Sequence, residues 1–175
     1  MKLKTIVFIV VGLVLFFGTI YGYALEIPYF GNTFNILHLV SRGAGVGGIV
    51  GLLLGFGFLK RGMDRIERFQ AFALCVVAGA LVGPLVANWV NHSFGGETRT
   101  EKVVFVHESG LITNRFGMIK NQQKTIDFYY TEFIRDGERQ RIRSNHPLFK
   151  GVEQGATIDL PTRKGYFGFD FVPIQ

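Results

Sequence analysis

The stretch that decides the fold is Gly43-Ala44-Gly45-Val46-Gly47-Gly48-Ile49-Val50-Gly51-Leu52-Leu53-Leu54-Gly55, the heart of an uncharged run over residues 43–59. Gly43, Gly47, Gly51 and Gly55 recur every fourth residue. At 3.6 residues per turn this spacing lays all four on one stripe and strips the stripe of side chains. In water so many glycines would argue against a helix. In a bilayer, where backbone groups must bond internally, the helix survives and the bare stripe becomes a surface for another helix.

Two further uncharged runs flank this one. Residues 5–25 hold 21 residues without a charge, enough at ~1.5 Å per residue to cross a hydrocarbon core of roughly 30 Å. Residues 69–90 hold another 22. The spacing and composition predict a three-helix transmembrane domain over residues 1–96, with spans at about 5–25, 39–59 and 69–91. The third span carries its own small-residue ladder, Ala71, Cys75, Gly79, Gly83 and Ala87, again every fourth residue. Two such ladders on consecutive antiparallel helices read first as intramolecular mates, a glycine-zipper arrangement. The same stripe also admits a homo-oligomer or contact with a different membrane subunit. Pro84 should loosen the third helix, and Trp89, Asn91 and His92 fit a membrane interface. Lys2 and Lys4 before the first run, with Gly22-Tyr23-Ala24 near its end, also resemble a signal peptide and its cleavage site, but the apolar run exceeds the ~7 to 15 residues of a signal core. A retained anchor is the expectation.

Charge sets the direction. Lys2, Lys4, Lys60, Arg61, Arg65 and Arg68 flank the inner ends of the runs, while residues 26–38 contain no Lys or Arg and Arg42 stands alone at the other end. The positive-inside rule therefore places the N-terminus in the cytoplasm and the C-terminal domain outside, in the periplasmic or extracellular space of a bacterial inner membrane. The net charge of +6 then divides into +4 on residues 1–96 and +2 on residues 97–175. A pI near 9.6 would otherwise suggest nucleic acid, but orientation explains most of the excess, and no nucleic-acid partner is expected. Cys75 is the one cysteine, so no intramolecular disulfide forms.

From residue 97 the periodicity changes to that of strands. Residues 102–107 and 111–116 read as strands joined by a turn at Ser109-Gly110, and 125–135 (TIDFYYTEFIR) as the strongest strand. Asp136-Gly137 is a type I′ hairpin signal leading into residues 138–144. That turn places Arg135 opposite Glu138, Glu132 opposite Arg141 and Tyr130 opposite Arg143. Residues 156–160 and 165–172 read as a last hairpin around Pro161-Thr162-Arg163-Lys164, with Phe167, Phe169 and Phe171 on one face. Five or six short strands predict a small all-β barrel or sandwich, and the chain as a whole an α+β membrane protein.

The run FIRDGERQRIRSNHPLFKGVEQGATIDLPTRKGYFGFD resembles the small C-terminal β domain of uncharacterised bacterial membrane proteins, over roughly residues 124–172. There a strand and polar turn lead to a strand ending in Ser, then a Gly-containing turn, another strand, and Lys-Gly before an aromatic strand. The resemblance implies a β fold and an envelope location, and carries no activity.

Chemistry is scarce. Residues 43–48 satisfy the letters G-x-G-x-x-G, but a dinucleotide site needs a preceding strand and a soluble βαβ unit. His38 and His92 flank the outer membrane surface, with Glu26 or Glu97 in reach as a third ligand, yet ordinary interfacial histidines account for them and no metal or cofactor is expected. No GxSxG, SxxK or Cys/His dyad appears, so no catalytic residue is assigned. Arg135, Arg139, Arg141 and Arg143, with Phe128, Tyr129 and Tyr130, outline a basic, aromatic surface for an anionic ligand or partner. The expected function is a non-enzymatic structural or accessory subunit of an envelope membrane complex, partnered by the lipid bilayer and by other membrane subunits. The alternatives are a channel or transport component, or a lipid or cell-wall binding module acting through the arginine hairpin.

Overall fold

The structure is a computed structural model and describes residues 3–58, 64–112 and 126–173. Three long helices come first, α1 (Leu3–Asn32), α2 (Ile36–Phe58) and α3 (Arg65–Ser93), followed by strands β1 (Thr98–Leu111), β2 (Phe128–Arg135), β3 (Glu138–Ser144) and β4 (Thr157–Arg163). All three helices are long and apolar enough to cross a membrane. Lys2, Lys4's side chain, the basic residues at 60–61 and most of the expected second strand at 111–116 lie outside the residues or side chains described.

The chain divides into two units: Met1–Ile27 with Asn35–Ser93, and Pro28–Phe34 with Phe94–Gln175. Seven residues, the last turn of α1 and the start of the link to α2, thus belong to the β unit. A boundary drawn at residue 96 counts them with the helices, as part of the connector at 26–38. The helix also runs on through Pro28 to Asn32, beyond the expected end near residue 25.

In the helical unit α2 and α3 run antiparallel and meet backbone to backbone. A methyl group on Gly47 would collide with the carbonyl of Gly79 and lie 2.9 Å from the Cα of Gly83. On Gly51 it would strike the carbonyl of Cys75 and lie 3.0 Å from the Cα of Val76. Gly43 faces Pro84 and the methyl of Ala87, and Gly55 faces Phe72 and the side chain of Cys75. Gly45 and Gly57, off the stripe, have open space where a Cβ would go. The helix starts are set locally. Asn35, at φ 54°, ends the link after α1 and its carbonyl accepts from the His38 amide at 2.9 Å. Asp64 Oδ1 accepts from the Glu67 amide at 2.8 Å while Glu67 Oε2 accepts from the Asp64 amide at 3.4 Å, a reciprocal cap on α3.

Among the described residues the β unit is one open four-stranded antiparallel sheet in the order β3-β2-β1-β4, and these strands close neither a barrel nor a sandwich. The central hairpin has the register read from its turn: Arg135 opposite Glu138, Glu132 opposite Arg141, Tyr130 opposite Arg143, with Asp136 at φ 52° and Gly137 at φ 81°. Elsewhere the turn signals mislead. Ser109 and Gly110 stay within β1, paired with Tyr130 and Tyr129, and the space a side chain would fill on Gly110 is taken by Ile126. Pro161 and Thr162 stay within β4, where the missing amide is tolerated because β4 is an edge strand. Residues 165–172 do not form a strand. Gly168, at φ 82°, closes a tight turn through its amide to the Gly165 carbonyl at 2.9 Å, so Phe167 is left exposed while Phe171 is buried and bridges to Arg163 and Thr33.

One face of the sheet carries the core: Val103, Phe105, Phe133, Ile142, Ile158 and Leu160, covered by Phe34 and Val172, with Leu148, Phe149 and Val152 packed against it. Phe34 comes from the inter-helix segment and meets Phe133 edge to face at 6.0 Å. The segment is bonded in as an extra strand would be: the Phe34 amide donates to the Asp170 carbonyl at 2.8 Å, and the Val172 amide to the Asn32 carbonyl at 2.9 Å. Asn32, 2% exposed, pairs its carboxamide with both backbone groups of Arg143, accepting from the amide at 2.7 Å and donating to the carbonyl at 2.8 Å.

Candidate functional site

Glu26 is the only acidic residue in the first 63. Asn88 and His92 sit four apart on α3, so their side chains share a face of that helix. The fold brings the three together within the helical unit. Glu26 Oε2 accepts from Asn88 Nδ2 at 2.7 Å, and His92 Nε2 lies 3.0 Å from Oε1 and 2.9 Å from Oε2. Glu26 is 7% exposed and Asn88 fully buried, with Asn91, also fully buried, three residues on. A carboxylate in such a place needs partners, since an uncompensated buried charge costs several kcal/mol. Both its oxygens are satisfied here, by an amide and an imidazole. One turn earlier Tyr23 donates to the Leu81 carbonyl at 2.6 Å and Gly22 lies under Leu85. The face of α1 at 22, 23 and 26 therefore reads against 81, 85, 88 and 92 of α3.

This arrangement was only half legible. Glu26 and His92 do meet, but His38 is exposed, and among the described residues no three His, Cys, Asp or Glu groups assemble as a metal site. The overlooked signal was Asn88 with His92 at helical spacing, facing a span with one carboxylate. The G-x-G-x-x-G letters at 43–48 fall inside α2, with no strand before them. Cys75 is half-buried against the glycine stripe of α2, and Ala71 lies one turn before it on α3.

The four hairpin arginines separate onto two faces. Arg139, Arg141 and Arg143 alternate with the core residues Ile142 and Ser144, so they point away from the core. There Arg143 stacks on Phe128 at 3.9 Å, Arg141 on Tyr130 at 4.3 Å, and Arg139 pairs with Glu132. Arg135 points the other way and is 14% exposed. Its Nε donates to Glu101 Oε1 at 2.8 Å, its Nη2 to Asp170 Oδ2 at 2.7 Å, and its guanidinium lies 4.4 Å over the Phe34 ring. Burial by itself lowers its pKa, but the hydrogen bonds and charges of Glu101 and Asp170 prevail and raise it above the ordinary guanidinium value. Arg135 is thus a permanently charged clamp inside the β unit. Three arginines, not four, remain for a ligand surface. A cleft of about 140 Å³ bounded by Ile142, Ser144, Phe149 and Asp159 is well below the ~300 Å³ at which small-molecule pockets begin.

Comparison with protein-family models, with curated proteins and with solved structures gave no match.

Proposed function

We propose that this chain is a non-enzymatic integral membrane protein, a structural or accessory subunit of a larger bacterial envelope complex, with its N-terminus cytoplasmic and its β unit outside. The observation that supports it is the division of labour among the helices. The glycine faces of α2 and α3 are spent on one another, whereas α1 leaves Leu13, Val14, Leu15, Phe16 and Phe17 each more than half exposed, on every side of the helix. Such a helix needs lipid or another subunit around it. The orientation is supported by the lysines and arginines flanking the inner ends and by the place of Pro28–Phe34 in the β unit, as expected when the first connector and the C-terminal domain lie on one side of the membrane.

The test is crosslinking in native membranes followed by purification in mild detergent. A stoichiometric partner captured through photo-crosslinkers at Leu15 or Phe17, and lost when they are moved to Gly57, supports the subunit reading; a clean monomer at every position refutes it. A transport role has one observation in its favour, the buried Glu26–His92 pair, since ionisable groups within membrane helices often line ion or proton paths. Proton or cation flux into reconstituted vesicles that vanishes in Glu26→Gln would establish that role. Absence of flux in the unaltered protein removes it.

A further inference from the structure

Phe94, Tyr166 and Phe167 are 61%, 64% and 47% exposed, yet they form one cluster in the β unit. Phe94 meets Tyr166 at 6.4 Å, and Tyr166 meets Phe167 edge to face at 5.2 Å. The cluster is built on a braced scaffold. The Gly96 amide donates to the Lys164 carbonyl at 2.8 Å, Arg163 donates to the carbonyls of Gly95 and Gly96, and the Gly165–Gly168 turn closes the tip. Rings this exposed leave a large apolar area in water. Phe94 is also the first residue after α3, which ends at Ser93. Amphipathic rings such as that of Tyr166 settle at the headgroup level, Phe side chains bury at the headgroup–acyl boundary, and the exposed Lys164 beside the tip carries the charge that anionic lipid attracts.

We propose that Phe94, Tyr166 and Phe167 are an aromatic foot that rests in the headgroup layer of the phospholipid bilayer and ties the β unit to the membrane surface. The foot rests on the reading that α3 crosses the bilayer, and the test separates the two. The full-length protein is reconstituted into vesicles of mixed zwitterionic and anionic phospholipid brominated either near the headgroup or deep in the acyl chain. In the unaltered chain the single tryptophan, Trp89 on α3, reports the helix. In the double variant Trp89→Phe, Tyr166→Trp the new tryptophan reports the foot. The expected result is loss of emission at position 166 with the shallow quencher, a smaller loss with the deep one, and recovery of the emission when Phe94 and Phe167 are both changed to Ser. Emission at 166 that neither quencher reduces, while Trp89 is quenched, overturns the foot and leaves the membrane helix standing. Emission at both positions that no brominated lipid reduces overturns both.

Discussion

The α2–α3 contact and the β-unit core are both tight, and they reach tightness by opposite means. Between α2 and α3 cohesion comes from side chains that are missing: the glycines let carbonyls and Cα atoms of the two backbones touch. In the β unit it comes from side chains that are present and arrive from far along the chain. Asn32 bonds to Arg143 across 111 positions, and Arg135 gathers Glu101, Asp170 and the ring of Phe34. The difference teaches what each kind of contact tolerates. A bare interface accepts no added atom, and a clamp accepts no lost one.

The sharpest way to break that contrast is to take away the clamp. Arg135→Ala leaves Glu101 without its cation and Asp170 with only the more exposed Arg99, and should destabilise the β unit by about 3–5 kcal/mol, read as early loss of tertiary signal on thermal unfolding in detergent. Arg135→Lys should recover only part of this, because one ammonium cannot reproduce a fork that bonds two carboxylates. Next, Gly51→Leu should cost about 3 kcal/mol or more by forcing α2 from α3, whereas Gly57→Leu, with open space at its Cβ, should stay within about 0.5 kcal/mol. Equal tolerance of the two in a thermal melt of the detergent-solubilised protein would dissolve the distinction. Asn32→Ala should cost about 2 kcal/mol, since it leaves both backbone groups of Arg143 without their partner. Hydrogen exchange should then quicken in β3 before β1. The smallest effect belongs to the exposed face, where Arg141→Ala removes a stack on Tyr130 and should change stability by less than about 1 kcal/mol.

What was legible divides along the same line. The glycine ladder, the mate on α3 and the Asp136-Gly137 hairpin were readable because each is a local rule: a period, a period repeated, a turn that demands positive φ. Ser109-Gly110 and Pro161 misled because the same residues that make turns can be held in strands by their neighbours, Ile126 over Gly110 and the free edge beside Pro161. The strand periodicity from residue 97 located the β region but not its missing piece, the segment Pro28–Phe34. The Glu26–Asn88–His92 cluster was hidden for the corresponding reason, that its members are 62 and 66 positions apart.

By itself the sequence determined three helices of membrane length, the faces on which two of them are bare, and the register of one hairpin, because those properties depend on residues within a turn or two of each other. Only the tertiary structure decided that the described strands form an open sheet, that residues 28–34 join it and Phe34 completes its core, that Arg135 turns inward while Arg139, Arg141 and Arg143 turn out, and that a glutamate and a histidine meet between α1 and α3. Those outcomes depend on which distant groups can satisfy a buried charge or fill a hollow, and no periodicity along the chain encodes that choice.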